Sequence, residues 1–217
     1  MSVTQKLLDN HKELFEAATK HKLTTELCQG TLADRTLYIY LAQDLQFFST
    51  GLRLISKTTS LAPEEHSLIT LAKKIGFFAN DENTYFQDCL KHLDGKISDS
   101  TSLQKYSKES LPSVSKYIDY LKSMTNIGSY PKLITLVYTM ELVYLQWAID
   151  ALNDNTVPKD LHWRYKTWID LHSGEHFEEW VEFLAEEVNK CSYDEVHEVF
   201  KDVLQLEYEF FESCYEE

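Results

Sequence analysis

The chain has 217 residues, 35 of them acidic against 21 basic, and a formal net charge of -14. A field of that sign repels phosphate backbones and anionic lipid, and no Lys/Arg cluster offsets it, so nucleic acid and membrane surfaces are not expected partners. The length suits one domain over residues 1–217 with a substantial core. No apolar run approaches the roughly 18 residues of a membrane span, and the opening MSVTQKLLDNHKE lacks the apolar core of a signal peptide. A cytoplasmic protein is therefore expected. Cys28, Cys89, Cys191 and Cys214 are widely spaced with no C-x-x-C pair, which reads as free thiols rather than a zinc pattern.

In chain order, helical periodicity predicts helices over roughly 3–28, 33–60, 63–92, 112–126, 130–153, 158–172, 174–190 and 193–215. Pro63, Pro112, Pro131 and Pro158 fall where new apolar-periodic segments begin, the favoured first-turn position. Gly30, Gly95 and Gly128 lie in gaps, whereas Gly51, Gly76 and Gly174 lie inside or between helical stretches, where a kink or close packing is expected. The segment from Gly95 to Ser110, rich in Ser, Asp and Lys, reads as a surface loop. Strand alternation and internal repeats are absent, so the expected architecture is an all-α bundle.

Three acids stand where leucines would be expected. In LVYTMELVYLQWAID (136–150) apolar side chains point in nearly every direction around the helix, which marks it as buried, yet it carries Glu141. Asp44 shares a stripe with Leu37, Tyr40, Leu41, Phe47 and Phe48, and Glu207 sits among Phe200, Val203, Leu204, Phe210, Phe211 and Cys214. A single acid on an apolar stripe is ordinarily a satisfied core residue. Three of them on separate helices, with Arg35, Arg53 and Arg164 as the arginines available to pair with them, are expected to converge on one cavity between helices. Tyr117, Tyr144 and Tyr165 each lie on the apolar side of their helix, as core residues or as cavity lining. Acids plus phenols suit a flat, nitrogen-containing heterocycle, and no glycine-rich phosphate loop is present. Metal is not expected. The Glu-x-x-His of di-iron bundles does not occur, and His172 with His176 reads as a surface pair.

With these residues in order, the chain resembles the TenA (thiaminase II) family of haem-oxygenase-like helical bundles over nearly its full length. YIYLAQDLQFF, KYIDYL, MELVYLQWA, YKTWIDLHSGEHF and LEYEFF carry the likeness through their order and spacing. The resemblance implies a thiamin-derived aminopyrimidine as the small-molecule partner. Asp44 would hold its amino and ring nitrogens, Phe47 would stack on it, Tyr117, Tyr144 and Tyr165 would line the pocket, and Glu207 would act as acid/base. It implies no cofactor and a homo-oligomer, a tetramer. Many members carry a cysteine nucleophile on the helix equivalent to 131–152; here that helix has none and Glu141 supplies its reactive group, as in the branch with glutamate in place of cysteine. His172 stands where a tyrosine is common. Loss of the thiol argues against thiaminase cleavage, which a covalent adduct assists, and for C–N hydrolysis of an amino- or formylaminopyrimidine by Glu141 and Glu207. The alternatives are a non-catalytic pyrimidine-binding or regulatory protein and a purely structural bundle.

Overall fold

The computed structural model describes residues 1–98 and 100–217, and the regular elements among them are all helical. They are α1 (Val3–Asn10), α2 (Lys12–Thr19), α3 (Lys22–Gln29), α4 (Asp34–Ser60), α5 (Glu65–Phe77), α6 (Asn83–Asp94), α7 (Ser100–Leu103), α8 (Pro112–Ile127), α9 (Tyr130–Asn153), α10 (Trp163–Leu171), α11 (Glu175–Asn189) and α12 (Tyr193–Glu216). A π-helical turn (Phe78–Glu82) joins α5 to α6, and a 3₁₀ turn (Gln104–Ser107) follows α7. Pro112 opens α8 at its first position, where its missing N–H costs nothing. Gly30 and Gly128 close α3 and α8 in the left-handed conformation, at φ 71° and 67°.

Several expectations need correction. The helix expected over 3–28 is three helices. His11 interrupts the first junction at φ -123°, and at the second His21 is extended while its Nδ1 accepts the Leu23 N–H at 3.1 Å, capping α3. The segment expected over 63–92 is divided by the π-helical turn. Pro158 does not open a helix: α10 begins at Trp163, where His162 Nδ1 accepts the Arg164 N–H at 3.3 Å. Pro63 lies just outside α5, whose cap is Glu64. Gly51 and Gly76 show no close packing, because a Cβ on either would meet nothing within 4 Å.

The chain divides into two compact units, residues 1–31 with 131–212, and residues 32–130 with 213–217. In the first, α1 packs on α11 and α3 on α10. The Thr4 backbone N–H and hydroxyl both donate to Asn189 Oδ1, at 2.9 and 3.0 Å. His21 Nε2 lies 2.7 Å from Glu212 Oε2; since Nδ1 is the acceptor at the cap, Nε2 carries the proton and donates. Gly30 is tightly placed, with a Cβ there meeting Leu161 Cδ1 at 2.5 Å.

In the second unit α4 is the central helix, contacted by α5, α6, α8 and the 3₁₀ turn. The stretch expected to be a surface loop from Gly95 to Ser110, of which Asp99 lies outside the described residues, instead contains α7 and the 3₁₀ turn, with Leu103 and Tyr106 buried. Gln43, fully buried on α4, organises it. Its Nε2 donates to the carbonyls of Tyr106 and Glu109 at 2.6 and 2.9 Å, and its Oε1 accepts the Leu111 N–H at 2.7 Å. The Tyr106 hydroxyl then donates to Glu217 at 2.6 Å, fixing the C-terminus.

Three variants check this account. Gln43→Leu keeps the volume but strands backbone groups that each cost about 1–3 kcal/mol when buried unsatisfied, so thermal unfolding should show a large loss with early amide exchange over 103–111. Gly30→Ala should destabilise by about 1–3 kcal/mol through its left-handed backbone and the Leu161 contact, whereas Gly51→Ala in α4 should stabilise by about 0.4–1 kcal/mol.

Candidate active site

Each unit holds one part of the predicted residue set. In the second unit, Asp44 lies on α4, one turn beyond the fully buried Tyr40. It is half-buried, and burial pushes its carboxyl up to about 8, with no hydrogen bond or ion pair to it among the described residues. Glu187 shows the contrast: it is 2 % exposed and ion-paired to Lys190 Nζ at 2.5 Å, a satisfied structural acid. Phe47 continues the Asp44 stripe and meets Tyr117 of α8 edge to face, centroids 5.0 Å apart.

The neighbourhood of Asp44 includes residues the sequence reading missed. Tyr85 and Cys89 are one turn apart on α6, which packs on α4, and both are buried. They hydrogen-bond to each other, and the Tyr85 phenol is pushed well above its ordinary range by burial first, then by Cys89, Tyr40 and Asp44. Cys214 reaches the neighbourhood of Asp44 from the C-terminal end of α12, its thiol pushed up chiefly by burial and secondly by the Asp44 charge.

In the first unit, two ring contacts orient α9 against α12. Tyr138 stacks on Phe200 at 6.3 Å between centroids, and Tyr144 meets Phe211 at 5.9 Å. Both contacts advance along both chains, so the helices run in the same sense. Glu141 lies between Tyr138 and Tyr144, three residues from each, and Glu207 lies between Phe200 and Phe211 at i+7 and i-4. These spacings put both carboxylates on the facing stripes of α9 and α12, within the stretch the ring contacts bracket. Glu207 is 1 % exposed, whereas Met140 and Glu141 are half-buried and interrupt the buried run from Leu133 to Leu145. Glu141 is thus the more accessible acid.

Tyr144 belongs to an aromatic cluster with Trp147, Trp168, His172 and Phe211. His172 is not a surface residue paired with His176. It is 5 % exposed, 4.8 Å from the Tyr144 ring and 4.2 Å from the Trp168 ring, with Nδ1 2.8 Å from the Trp168 carbonyl, while His176 is fully exposed. The C-terminus of α10 turns the imidazole inward. Tyr165 is buried, its hydroxyl accepting from Arg164 Nη2 at 3.0 Å with the guanidinium 4.7 Å over its ring.

Among the described residues, no group of three or more His, Cys, Asp or Glu side chains could hold a metal ion. All four cysteines are free thiols, and burial pushes Cys28 up to about 12 and Cys191 up to about 11. High thiol pKa values oppose nucleophilic roles. No helix among the described residues is long and apolar enough to cross a membrane.

Comparison with solved structures places the fold. The TenA homologue from P. horikoshii OT3 superposes with a TM-score of 0.82 at 20% identity, covering 100% of this chain and 99% of that one. A TenA homologue from Pyrococcus furiosus gives 0.79 at 20% identity over 98% and 100% of the two chains. A TenA family transcription regulator from Silicibacter sp. TM1040 gives 0.79 at 14% identity over 98% and 96%. The fold is therefore the haem-oxygenase-like all-α type. No curated protein sequence matches the chain. The sequence pattern of the TENA/THI-4/PQQC family matches residues 8–217, and the chain belongs to that family.

Proposed function

We propose that this protein hydrolyses a C–N bond of a thiamin-derived aminopyrimidine, either the amino- or the formylamino- compound, as the glutamate-bearing branch of the family is expected to do. The observation that carries this reading is the Asp44 carboxyl, desolvated and without a protein hydrogen bond among the described residues. Maintaining such a group is costly unless a ligand completes it. A carboxyl presents one donor and one acceptor side by side, the complement of a ring nitrogen next to an exocyclic amine. Because burial keeps the proton on the carboxyl up to about pH 8, it takes up a neutral aminopyrimidine without drawing a proton from solvent. Phe47, in contact with Tyr117, offers the ring face.

The chemistry falls to Glu141 and Glu207. The half-buried Glu141, within reach of water, is suited to the base, and Glu207, 1 % exposed, to the acid. Glu141 takes a proton from water, the oxygen attacks the carbon bearing the leaving nitrogen, the C–N bond breaks, and Glu207 delivers its proton to that nitrogen. Tyr144, Tyr165 and His172 provide the aromatic lining and keep water out. No cysteine takes part. A second reading, a non-catalytic pyrimidine-binding or regulatory protein, takes its support from the Silicibacter relative described as a transcription regulator. A candidate TenA-like thiaminase from Sulfolobus solfataricus P2, with a TM-score of 0.77 at 17% identity over 97% and 94% of the two chains, supports the enzymatic one. Incubating the protein with both pyrimidines and with thiamin, and following products by mass, separates them: ligand-induced stabilisation without product identifies the binding protein.

Two variants test the division of labour. Glu141→Gln should lower the hydrolysis rate about 10²- to 10⁴-fold while calorimetry shows the pyrimidine still bound; hydrolysis at the wild-type rate would make Glu141 a structural acid. Asp44→Asn exchanges the acidic O–H donor for a weaker amide N–H and should weaken pyrimidine binding by about 0.5–1.5 kcal/mol, and yet stabilise the fold at alkaline pH. The sign follows from linkage: with a carboxyl raised from 3.8 to about 8, the wild type is most stable below about pH 4 and loses stability as the pH rises through 8. The asparagine variant lacks that loss. Its Tm advantage should grow between pH 4 and 8 by more than the ~2–4 °C that 1 kcal/mol produces in a chain of this size.

A further inference from the structure

Between α9 and α11, both in the first unit, runs a groove of about 570 Å³, within the roughly 300–1,000 Å³ of small-molecule sites. Neither Glu141 nor Tyr144 lines it, so it is separate from the proposed catalytic pair. Its α9 wall is the stripe Tyr138, Leu142, Leu145 and Ile149, at i, i+4, i+7 and i+11. Its α11 wall carries Glu178 and Glu182, one turn apart, and like charges at that spacing repel. Both are exposed, neither has an ion pair among the described residues, and none of the lining residues is basic. An apolar floor beside two unanswered negative charges is complementary to a cation with an apolar body.

Tyr138 independently calls for a ligand. It is 3 % exposed and its ring stacks on Phe200, yet its hydroxyl has no hydrogen bond among the described residues, although a covered phenol ordinarily finds a partner. Were that oxygen sealed from solvent it would be an unsatisfied buried atom, which it is not. The open space that Tyr138 borders is this groove, so the hydroxyl faces into it. Burial pushes the phenol up to about 12, which keeps it a donor through the physiological range. α12 follows α11 after residues 190–192, and so short a connection turns the chain back on itself. Since α9 runs with α12, it runs against α11. Tyr138, the first residue of the α9 wall, therefore stands at the end of the groove away from Glu178, the first of the α11 wall.

We propose that this groove binds an amphiphilic organic ammonium, its apolar body along Leu142, Leu145 and Ile149, its cationic head on Glu178 and Glu182, and a polar group at its other end accepting the Tyr138 O–H. None of these residues takes part in the proposed hydrolysis, so the two readings stand or fall separately.

The probes are n-octylammonium and its ω-hydroxy analogue, added to the full chain with leucine and isoleucine methyls labelled for NMR. Both should shift the methyls of Leu142, Leu145 and Ile149, while octanoate, of the same length and opposite charge, should shift none. In calorimetry, Glu178→Gln combined with Glu182→Gln should weaken both ammonium probes about two- to tenfold, and added salt should act in the same direction. The ω-hydroxyl should add about two- to tenfold affinity in the wild type. Tyr138→Phe keeps the ring and its contact with Phe200, and should erase that gain while leaving n-octylammonium binding unchanged. Silent methyls, octanoate binding as well as the ammonium probes, unchanged affinity in the double glutamine variant, or a hydroxyl gain that is absent or survives Tyr138→Phe would each overturn the site. Methyl shifts that follow protein dilution and ignore both probes would put a second copy of this chain in the groove and overturn it equally. Circular dichroism establishes folding first. Should Tyr138→Phe fail to fold, the octanoate control and the double glutamine variant decide.

Discussion

Taking a carboxyl out of water leaves it three ways to be stable: an ion pair, a proton of its own, or a ligand that supplies what the protein does not. Glu187 takes the first with Lys190. Asp44, its carboxyl pushed up to about 8 by burial, takes the second. The cost of the arrangement is borne by the packing of α4, whose Leu37, Ile39, Tyr40, Leu41 and Leu54 are buried almost completely. Each such apolar side chain contributes about 1.5–3 kcal/mol on burial, so one helix offsets the penalty of its own desolvated carboxyl several times over.

The first unit solves a related problem differently. Its two acids are carried by helices running in the same sense, held in register by Tyr138 on Phe200 and Tyr144 against Phe211. Large rings at both ends of the bracketed stretch fix the spacing of the helices between them, and with it the position of the two carboxylates along the facing stripes.

Helical spacing carried most of the placement from sequence. The i, i+3, i+4 rule put Asp44, Glu141 and Glu207 on apolar stripes because side-chain direction around a helix follows from residue number alone. Tyr85 and Cys89 escaped notice for the complementary reason. On α6 they look like ordinary core residues, and their nearness to Asp44 follows from which helix α6 packs against. The order in the segment after Gly95 was hidden in the same way, because Gln43, which clamps it, lies more than fifty residues away in sequence. The breaks around His21 and His162 were missed because histidine is not among the usual capping residues, Ser, Thr, Asp and Asn.

Those two histidine caps give the first unit a chemical asymmetry that a serine or aspartate would not. Each works through an Nδ1 lone pair accepting a backbone N–H, and that lone pair exists in one neutral tautomer alone. For His21 the choice is enforced by Glu212, which takes the proton on Nε2. A ring that carried its hydrogen on Nδ1 would aim a second N–H at the first, so each helix start depends on which nitrogen of one imidazole is bare. Losing these imidazoles would loosen two defined corners, the N-termini of α3 and α10, while leaving the leucine core intact.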